Sequence, residues 1–196
     1  TGEAPSLSDD EKIRLFAEVK EEVGSDVTII AGTTDNNHRK SITLSKEAES
    51  VGVDGLLLTV PSYSKPTQDG LYEHFKAIAA ATRLPGLLYN VPSRTSLNMN
   101  AETTLRLADI DNIIGVKEAS SDLVQITKIV DKAPSGFRVW SGNDDETFGI
   151  MCVGGFGVVS VAGNIIGNQV KDMMNMILEG DIKNAANAHK RMLPLF

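Results

Sequence analysis

The chain has 196 residues, of which 41% are hydrophobic and 23% charged, and it carries a formal net charge of -7. This composition is typical of an ordered globular protein that is long enough to build one sizeable core. The acidic balance and the lack of any run of Lys and Arg exclude a nucleic-acid surface and favour small metabolites as partners.

Few residues suited to disulfides or metals are present. Cys152 is the single cysteine, which excludes an intrachain disulfide, and the three histidines lie far apart in sequence, so we predict no metal site. No apolar stretch reaches the ~18 residues of a membrane span, and the opening TGEAPSLSDDEK does not resemble a signal peptide. We therefore expect a cytoplasmic protein. Because the sequence does not begin with Met, we expect it to be an internal piece or a processed product.

The predicted elements alternate between helix and strand along the whole chain. The first helix opens at Ser8, which has Glu11 at capping-box spacing, and ends at Gly24. Six strands follow from the apolar runs at 27–32, 53–60, 84–91, 112–119, 137–144 and 157–164. Helical patterns separate them at 38–52, 68–83, 100–110, 122–133 and 145–155, and one or two helices close the chain over 168–196.

The predicted strands are continuous runs of Val, Ile and Leu, so both of their faces should be covered, as in a parallel sheet flanked by helices. Two architectures fit this α/β pattern: an open doubly wound sheet and a barrel of repeated βα units. A dinucleotide-binding sheet needs a GxGxxG turn after its first strand, and none follows VTIIAG at 27–32. The pattern therefore favours the barrel.

An unusual lysine ends one of these strands. In IIGVKEASSD (113–122), Lys117 follows an apolar run, and a desolvated lysine has a larger fraction of the free amine that attacks carbonyl groups to form a Schiff base. In a barrel the carboxyl ends of all strands meet on one face. The residues expected there are Thr33, Thr34, Tyr63, Tyr89, Arg94, Lys117, Ser141 and Gly142. Tyrosines can move protons and an arginine can bind a carboxylate, so the sequence predicts a lysine that condenses with an oxo acid.

Simpler interpretations remain open from the residues alone. Lys117 could form a structural ion pair with Glu118, and both tyrosines could be ordinary half-buried aromatic residues. Asp144 and Asp145 could bind a metal, but their place before a helix favours capping of free backbone N–H groups.

Several motifs together point to a known family. YNVPSRT (89–95), GVKEA (115–119), the opening TGE, SGNDD (141–145) and GVVSV (157–161) resemble the dihydrodipicolinate synthase branch of the pyruvate-dependent class I aldolases, a family that also contains N-acetylneuraminate lyase. The resemblance covers the whole chain. It implies a (β/α)8 TIM barrel, a homotetramer built from tight dimers, and a lyase of lysine and diaminopimelate biosynthesis that condenses pyruvate with L-aspartate 4-semialdehyde. It also implies that no cofactor is needed, because pyruvate is bound covalently as the Schiff base.

The resemblance assigns catalytic roles to three residues. Lys117 matches the nucleophile, Tyr89 matches the tyrosine that relays protons above the Schiff base, and Tyr63 matches the tyrosine that completes the relay across a dimer interface.

Four further residues match substrate-binding positions of the family. Thr1 corresponds to the second threonine of its GTTGE loop, and Gly142 and Val159 correspond to backbone positions that line the pocket. Arg94 corresponds to the arginine that binds the carboxylate of aspartate semialdehyde. The sialic acid lyases lack this arginine, so it favours the synthase branch.

The sequence also departs from the family pattern. The first threonine of the GTTGE loop, the two strands that precede it with their helix, and the C-terminal helices have no counterpart here, so we expect residues 1–196 to be a single, incomplete barrel domain. Two alternatives stay open, namely a sister aldolase acting on a 2-keto-3-deoxy sugar acid and a non-catalytic barrel fragment. At the positions where feedback-inhibited members bind lysine the chain has Lys12, Lys40 and Ser62, which predicts insensitivity to lysine.

Overall fold

The computed structural model describes residues 2–196. Its strands are β1 (Ile30–Gly32), β2 (Gly55–Thr59), β3 (Gly86–Asn90), β4 (Ile113–Glu118), β5 (Arg138–Ser141) and β6 (Gly157–Val158). Its α-helices are α1 (Asp9–Val23), α2 (His38–Val51), α3 (Gln68–Ala79), α4 (Pro92–Thr95), α5 (Ala101–Ala108), α6 (Leu123–Lys132), α7 (Thr147–Cys152), α8 (Gly163–Leu178) and α9 (Ile182–Met192). Short 3₁₀ turns cover Ala4–Ser6, Asp144–Glu146 and Leu193–Leu195.

The six strands form one parallel sheet in the order β1-β2-β3-β4-β5-β6. Each strand pairs with the next one in the chain, and helices connect them. An open doubly wound sheet would reverse its strand order at a switch point, and this sheet has no reversal among the described residues. The predicted α/β class is confirmed, and the strand order is the one found in βα barrels.

Side-chain caps fix where most of the helices begin. Ser8 and Glu11 form the predicted capping box at the start of α1, with the Glu11 N–H donating to Ser8 Oγ at 3.3 Å. A cap removes one of the unpaired N–H groups of a first turn and contributes about 1 kcal/mol. The other helices that begin with a side-chain cap do so at Asn37, Thr67, Asn100, Asp122 and Asp181.

The end of the sheet differs from the sequence prediction. The last strand was expected over 157–164, but β6 stops at Val158 and α8 already begins at Gly163. Asp144 explains the difference, because its carboxylate accepts hydrogen bonds from the Val161 and Ala162 N–H groups, both at 3.0 Å. The Asp144 carboxylate binds those N–H groups at the start of α8, so they are not available to a strand ladder.

The two faces of the sheet have different surroundings. Leu56, Leu58, Leu88 and Val116 belong to the main core beneath the helices, and burying a side chain of this kind contributes about 1.5–3 kcal/mol. The alternate residues face the other way, where Tyr89 packs with a separate small cluster of apolar side chains, Leu57, Val91 and Ala119. A third cluster joins α7, α8 and α9 through Met151, Val170, Met173, Ile177, Ala185, Ala188 and Met192.

Within residues 2–196, no helix combines the length and the apolar character required to cross a membrane.

Candidate active site

Lys117 lies on β4 one residue before the strand ends, and only 6% of it is exposed. Its Cα partner on β3 is Tyr89 and its partner on β5 is Trp140, so the three side chains share one face of the sheet. The Lys117 Nζ atom is 4.1 Å from the centre of the Tyr89 ring. The structure therefore brings together the predicted nucleophile and one of the two predicted proton relays.

The surroundings of Lys117 favour its neutral form. Burial lowers the pKa of the Lys117 amine, and the carboxylate of Asp144 opposes this with a smaller upward effect. The Tyr89 ring likewise stabilises the charged form of the amine, by about 0.5–2 kcal/mol, and so also opposes the effect of burial. Desolvation can move a buried lysine by several pKa units, each equivalent to about 1.4 kcal/mol, so burial is the dominant effect. The result is an amine with more nucleophilic free base at neutral pH than an exposed lysine has.

Tyr89 is held as a neutral phenol. Only 5% of the residue is exposed, and burial raises the pKa of its hydroxyl, while the positive charge of Arg94 acts in the opposite direction. A phenol that keeps its proton at neutral pH can donate it to a developing oxyanion or hydroxyl. This arrangement suits the proton-relay role predicted for Tyr89.

Gly142 lies directly against the lysine. A Cβ atom built on Gly142 would stand 2.8 Å from the Cβ of Ala119 and 3.2 Å from the Cε of Lys117. The Gly142 N–H also donates to the Glu118 carbonyl oxygen at 2.7 Å, which fixes the loop against β4. The absence of a side chain at this position therefore makes room for the lysine chain.

Replacing Gly142 with alanine should displace Lys117 from the Tyr89 ring. The added methyl group would overlap the Ala119 Cβ and crowd the Glu118 carbonyl oxygen and the Lys117 Cε, so the Gly142 loop and the flexible lysine chain must shift. A displacement of about 1 Å can cost on the order of 100-fold in rate. Rate measurements on Gly142→Ala would test this, with Gly149→Ala as a control because a Cβ there meets no atom within 4 Å. Equal rates for both variants and the unaltered chain would contradict it.

Arg94 is positioned by a short helix that follows β3. Pro92 occupies the start of α4, a favoured proline position, and Ser96 ends the helix in a left-handed conformation with φ 57°. The Thr95 hydroxyl donates to the Val91 carbonyl oxygen at 3.2 Å and secures this turn. Arg94 is exposed, and its positive charge partly offsets the upward effect of burial on the pKa of Tyr89.

The remaining predicted site residues lie further from the lysine or outside the described region. Tyr63 is 94% exposed and has a left-handed backbone with φ 64°, which is costly for a non-glycine residue. Val159 is half-buried, and its N–H donates to the Ser141 carbonyl oxygen at 2.9 Å. Thr1 lies outside the described residues. The structure thus joins Lys117, Tyr89 and Gly142 but does not bring Tyr63 into their group.

Three other polar residues at the strand ends have structural roles. Thr33 is buried and hydrogen-bonds Ser45 at 2.8 Å between the hydroxyl oxygens. The Thr34 hydroxyl oxygen accepts from the Thr59 N–H at 2.6 Å, which links β1 to β2. The Ser141 hydroxyl donates to the Asn143 carbonyl oxygen at 2.7 Å. All three side chains stabilise the loops that surround the lysine.

Asp144 acts as a cap, as the sequence favoured, but for a different helix. The prediction placed the capping at the helix that follows SGNDD, whereas Asp144 caps the segment that opens α8 and also bonds the Ser160 hydroxyl. Across residues 2–196, no three His, Cys, Asp or Glu side chains are grouped so that they could hold a metal ion.

Glu118 has a place that sequence analysis did not predict. It is fully buried and points to the face opposite Lys117, so the suggested ion pair between these neighbours is not among those of the described residues. Its carboxylate accepts hydrogen bonds from Asn90, Ser120 and Gln125. The available signal was the adjacent pair of charged residues on a buried strand, which must point to opposite faces.

A buried lysine at the carboxyl edge of a sequentially ordered parallel sheet is the arrangement of a βα-barrel enzyme site. The family model described as the Dihydrodipicolinate synthetase family matches residues 1–196. The chain is 54% identical to 4-hydroxy-tetrahydrodipicolinate synthase of Moorella thermoacetica and 51% identical to that of Bacillus subtilis, and it is matched in full in both comparisons.

A solved structure agrees with these relatives. The dihydrodipicolinate synthase of Thermotoga maritima matches 98% of this chain with a TM-score of 0.95 and 40% identity. The chain spans 67% of the Moorella relative, 68% of the Bacillus relative and 67% of the Thermotoga chain. The chain belongs to the dihydrodipicolinate synthetase family, so the family predicted from its motifs is confirmed.

Proposed function

We propose that the chain carries the Schiff-base site of a lyase that condenses pyruvate with L-aspartate 4-semialdehyde to 4-hydroxy-tetrahydrodipicolinate, a step of lysine and diaminopimelate biosynthesis. The observation that carries the proposal is the buried Lys117 amine held over the Tyr89 ring at 4.1 Å. Family membership and relatives named 4-hydroxy-tetrahydrodipicolinate synthase at about 50% identity support this function and not that of a sister sugar-acid aldolase.

In the proposed reaction the Lys117 amine attacks the keto carbon of pyruvate. Water leaves with protons passed through Tyr89 and Tyr63, and the iminium ion loses a methyl proton to give an enamine. The enamine carbon attacks the aldehyde carbon of aspartate semialdehyde, whose carboxylate is bound by Arg94, and the aldehyde oxygen takes up a proton. The amino group of the second substrate then replaces Lys117 at the C=N carbon, which closes the ring and frees the lysine.

This chemistry needs no metal or organic cofactor, because the iminium formed on Lys117 is itself the electron sink. The backbone of Gly142 and Val159 would line the pyruvate pocket together with Thr1. Support for the role of Gly142 comes from its position against the Lys117 side chain.

We further propose that residues 1–196 are one domain and form six strands of a (β/α)8 barrel that assembles as a cytoplasmic homotetramer, a dimer of dimers. The sequential parallel order of the strands supports the barrel. The full exposure of Tyr63 suits a side chain that reaches a neighbouring subunit.

Comparing aldehyde acceptors tests the proposed substrate. Pyruvate with aspartate semialdehyde should give turnover well above pyruvate with a sugar-derived aldehyde. A preference for the sugar-derived aldehyde would support the sister aldolase, and failure of the folded chain to turn over either pair would support the non-catalytic fragment.

Addition of millimolar L-lysine should leave the turnover unchanged. Lys40 is exposed, and the Lys12 Nζ atom lies 3.5 Å from Asp9 Oδ1. Both side chains are cationic and occupy positions that would face a cationic ligand, so they should repel it. A clear drop in turnover in an L-lysine titration would contradict this expectation, and L-norleucine, which lacks the second amine, serves as the matched control ligand.

A further inference from the structure

Glu118 follows Lys117 in β4, and its side chain points toward the helices while the lysine points to the other face. The carboxylate is fully buried. Its Oε1 atom accepts from Asn90 Nδ2 at 2.6 Å, and its Oε2 atom accepts from the Ser120 hydroxyl at 2.9 Å and from Gln125 Nε2 at 3.1 Å. A buried carboxylate that accepts from three donors links the segments that carry them. We call this group of four side chains the Glu118 junction.

One of the three donors lies on the strand that carries Tyr89, and another lies on the helix that follows β4. Asn90 ends β3 directly after Tyr89, and Gln125 lies in the first turn of α6. Asn90 also fixes the loop that follows Arg94, because its Nδ2 atom donates to Asn98 Oδ1 at 2.8 Å and its Oδ1 atom accepts from the Met99 N–H at 3.0 Å. Asn90 therefore links Glu118 on β4 to the end of β3 and to the loop that follows Arg94.

We propose that Glu118 is a positioning residue for Lys117 and Tyr89, joining the ends of β3 and β4 so that the amine lies over the ring. The effect of Glu118 on catalysis rests on the proposed function, whereas its effect on the geometry of the Lys117 and Tyr89 side chains is independent of that function.

The hydrogen bonds make this junction depend on the proton of Glu118. An ionised carboxylate accepts from all three donors, whereas a protonated one must donate from one oxygen, which reverses or breaks one of these hydrogen bonds. Of the groups that contact the carboxylate, Asn90, Ser120 and Gln125 are neutral, and the charged group that acts on it is Glu146, beyond β5.

Opposing effects place this proton change near neutrality. Burial raises the pKa of Glu118 to about 7, with a further upward effect from Glu146, while the hydrogen bonds lower it. The Glu118 carboxylate therefore accepts all three hydrogen bonds above about pH 7, and one of them is reversed or broken as the pH falls below that value.

The NMR shift of the Lys117 ε-methylene protons tests the positioning directly, because the Tyr89 ring current acts on them. In the unaltered chain this shift should change with a midpoint near pH 7 in addition to the titration of the lysine itself. Glu118→Gln, which cannot titrate, should lose this pH-dependent step in the NMR shift and should show a smaller ring-current shift. Its rate of borohydride trapping with pyruvate should fall about tenfold to a hundredfold.

A second variant separates positioning from general damage to the fold. Glu146→Gln keeps an oxygen that can accept from Asn143 Nδ2 but removes the charge, so the step should move to lower pH with the junction intact. Glu47→Gln, on the exposed side of α2, is the matched control and should change nothing.

Two results would overturn the proposal. One is a folded Glu118→Gln chain that keeps both the change near pH 7 and the full ring-current shift of the Lys117 protons. The other is a Glu146→Gln chain in which the midpoint of that change does not move. If Glu118→Gln does not fold, Glu146→Gln decides alone. Failure of the unaltered chain to trap pyruvate would count against the proposed function only, since the NMR shift is read without substrate.

Discussion

Replacing Lys117 with alanine is expected to reduce turnover by on the order of a thousandfold or more, because the reaction then lacks its only covalent route. The substitution removes a buried amine, and no ion pair among the described residues involves Lys117. The fold should therefore survive. Steady-state kinetics with a check of folding by circular dichroism would measure both effects.

Two matched variants sharpen this test. Lys117→Arg keeps much of the length of the side chain but cannot form an imine, so it should be as inactive as the alanine variant. Lys128→Ala removes an exposed lysine of α6 and should retain full activity. Substantial turnover by folded Lys117→Ala would show that another group performs the chemistry.

Replacing Tyr89 with phenylalanine is expected to lower kcat by about 10² to 10⁴, the usual contribution of a positioned acid or base. The phenylalanine ring can still pack with Leu57, Val91 and Ala119 and still lie beneath Lys117 Nζ. Only the hydroxyl is lost, and burial keeps that hydroxyl protonated at neutral pH by raising its pKa.

The control for Tyr89→Phe is Tyr72→Phe. Tyr72 lies on α3, where the Arg106 guanidinium carbon is 4.4 Å from its ring centre, and it has no part in the proposed site. Its loss of a hydroxyl should leave kcat unchanged. An unchanged kcat in Tyr89→Phe as well would exclude the hydroxyl from the proton relay.

The sequence predicted the α/β class, all six strands and the lysine near the end of β4 because these depend on local patterns. Apolar runs mark the strands, and the capping box at Ser8 and Glu11 is a contact between residues three apart. The position of Lys117 could be inferred for the same reason, since the end of a parallel strand is defined by the strand itself.

The parts that were wrong or missed depend on contacts between distant segments. β6 ends early because Asp144 binds N–H groups that lie 17 and 18 residues later in the chain. The junction at Glu118 needs Asn90, which is 28 residues earlier. Such pairings are invisible to periodicity, because they exist only once neighbouring strands are in register.

Borohydride reduction in the presence of pyruvate, followed by peptide mass mapping, tests the central claim most directly. Burial lowers the pKa of the Lys117 amine from 10.5, so the free amine should become available, and trapping should rise, with a midpoint below that value. One reduced pyruvate adduct is expected, located on Lys117. Folded chain that gives no adduct, or an adduct on a different lysine, would contradict it.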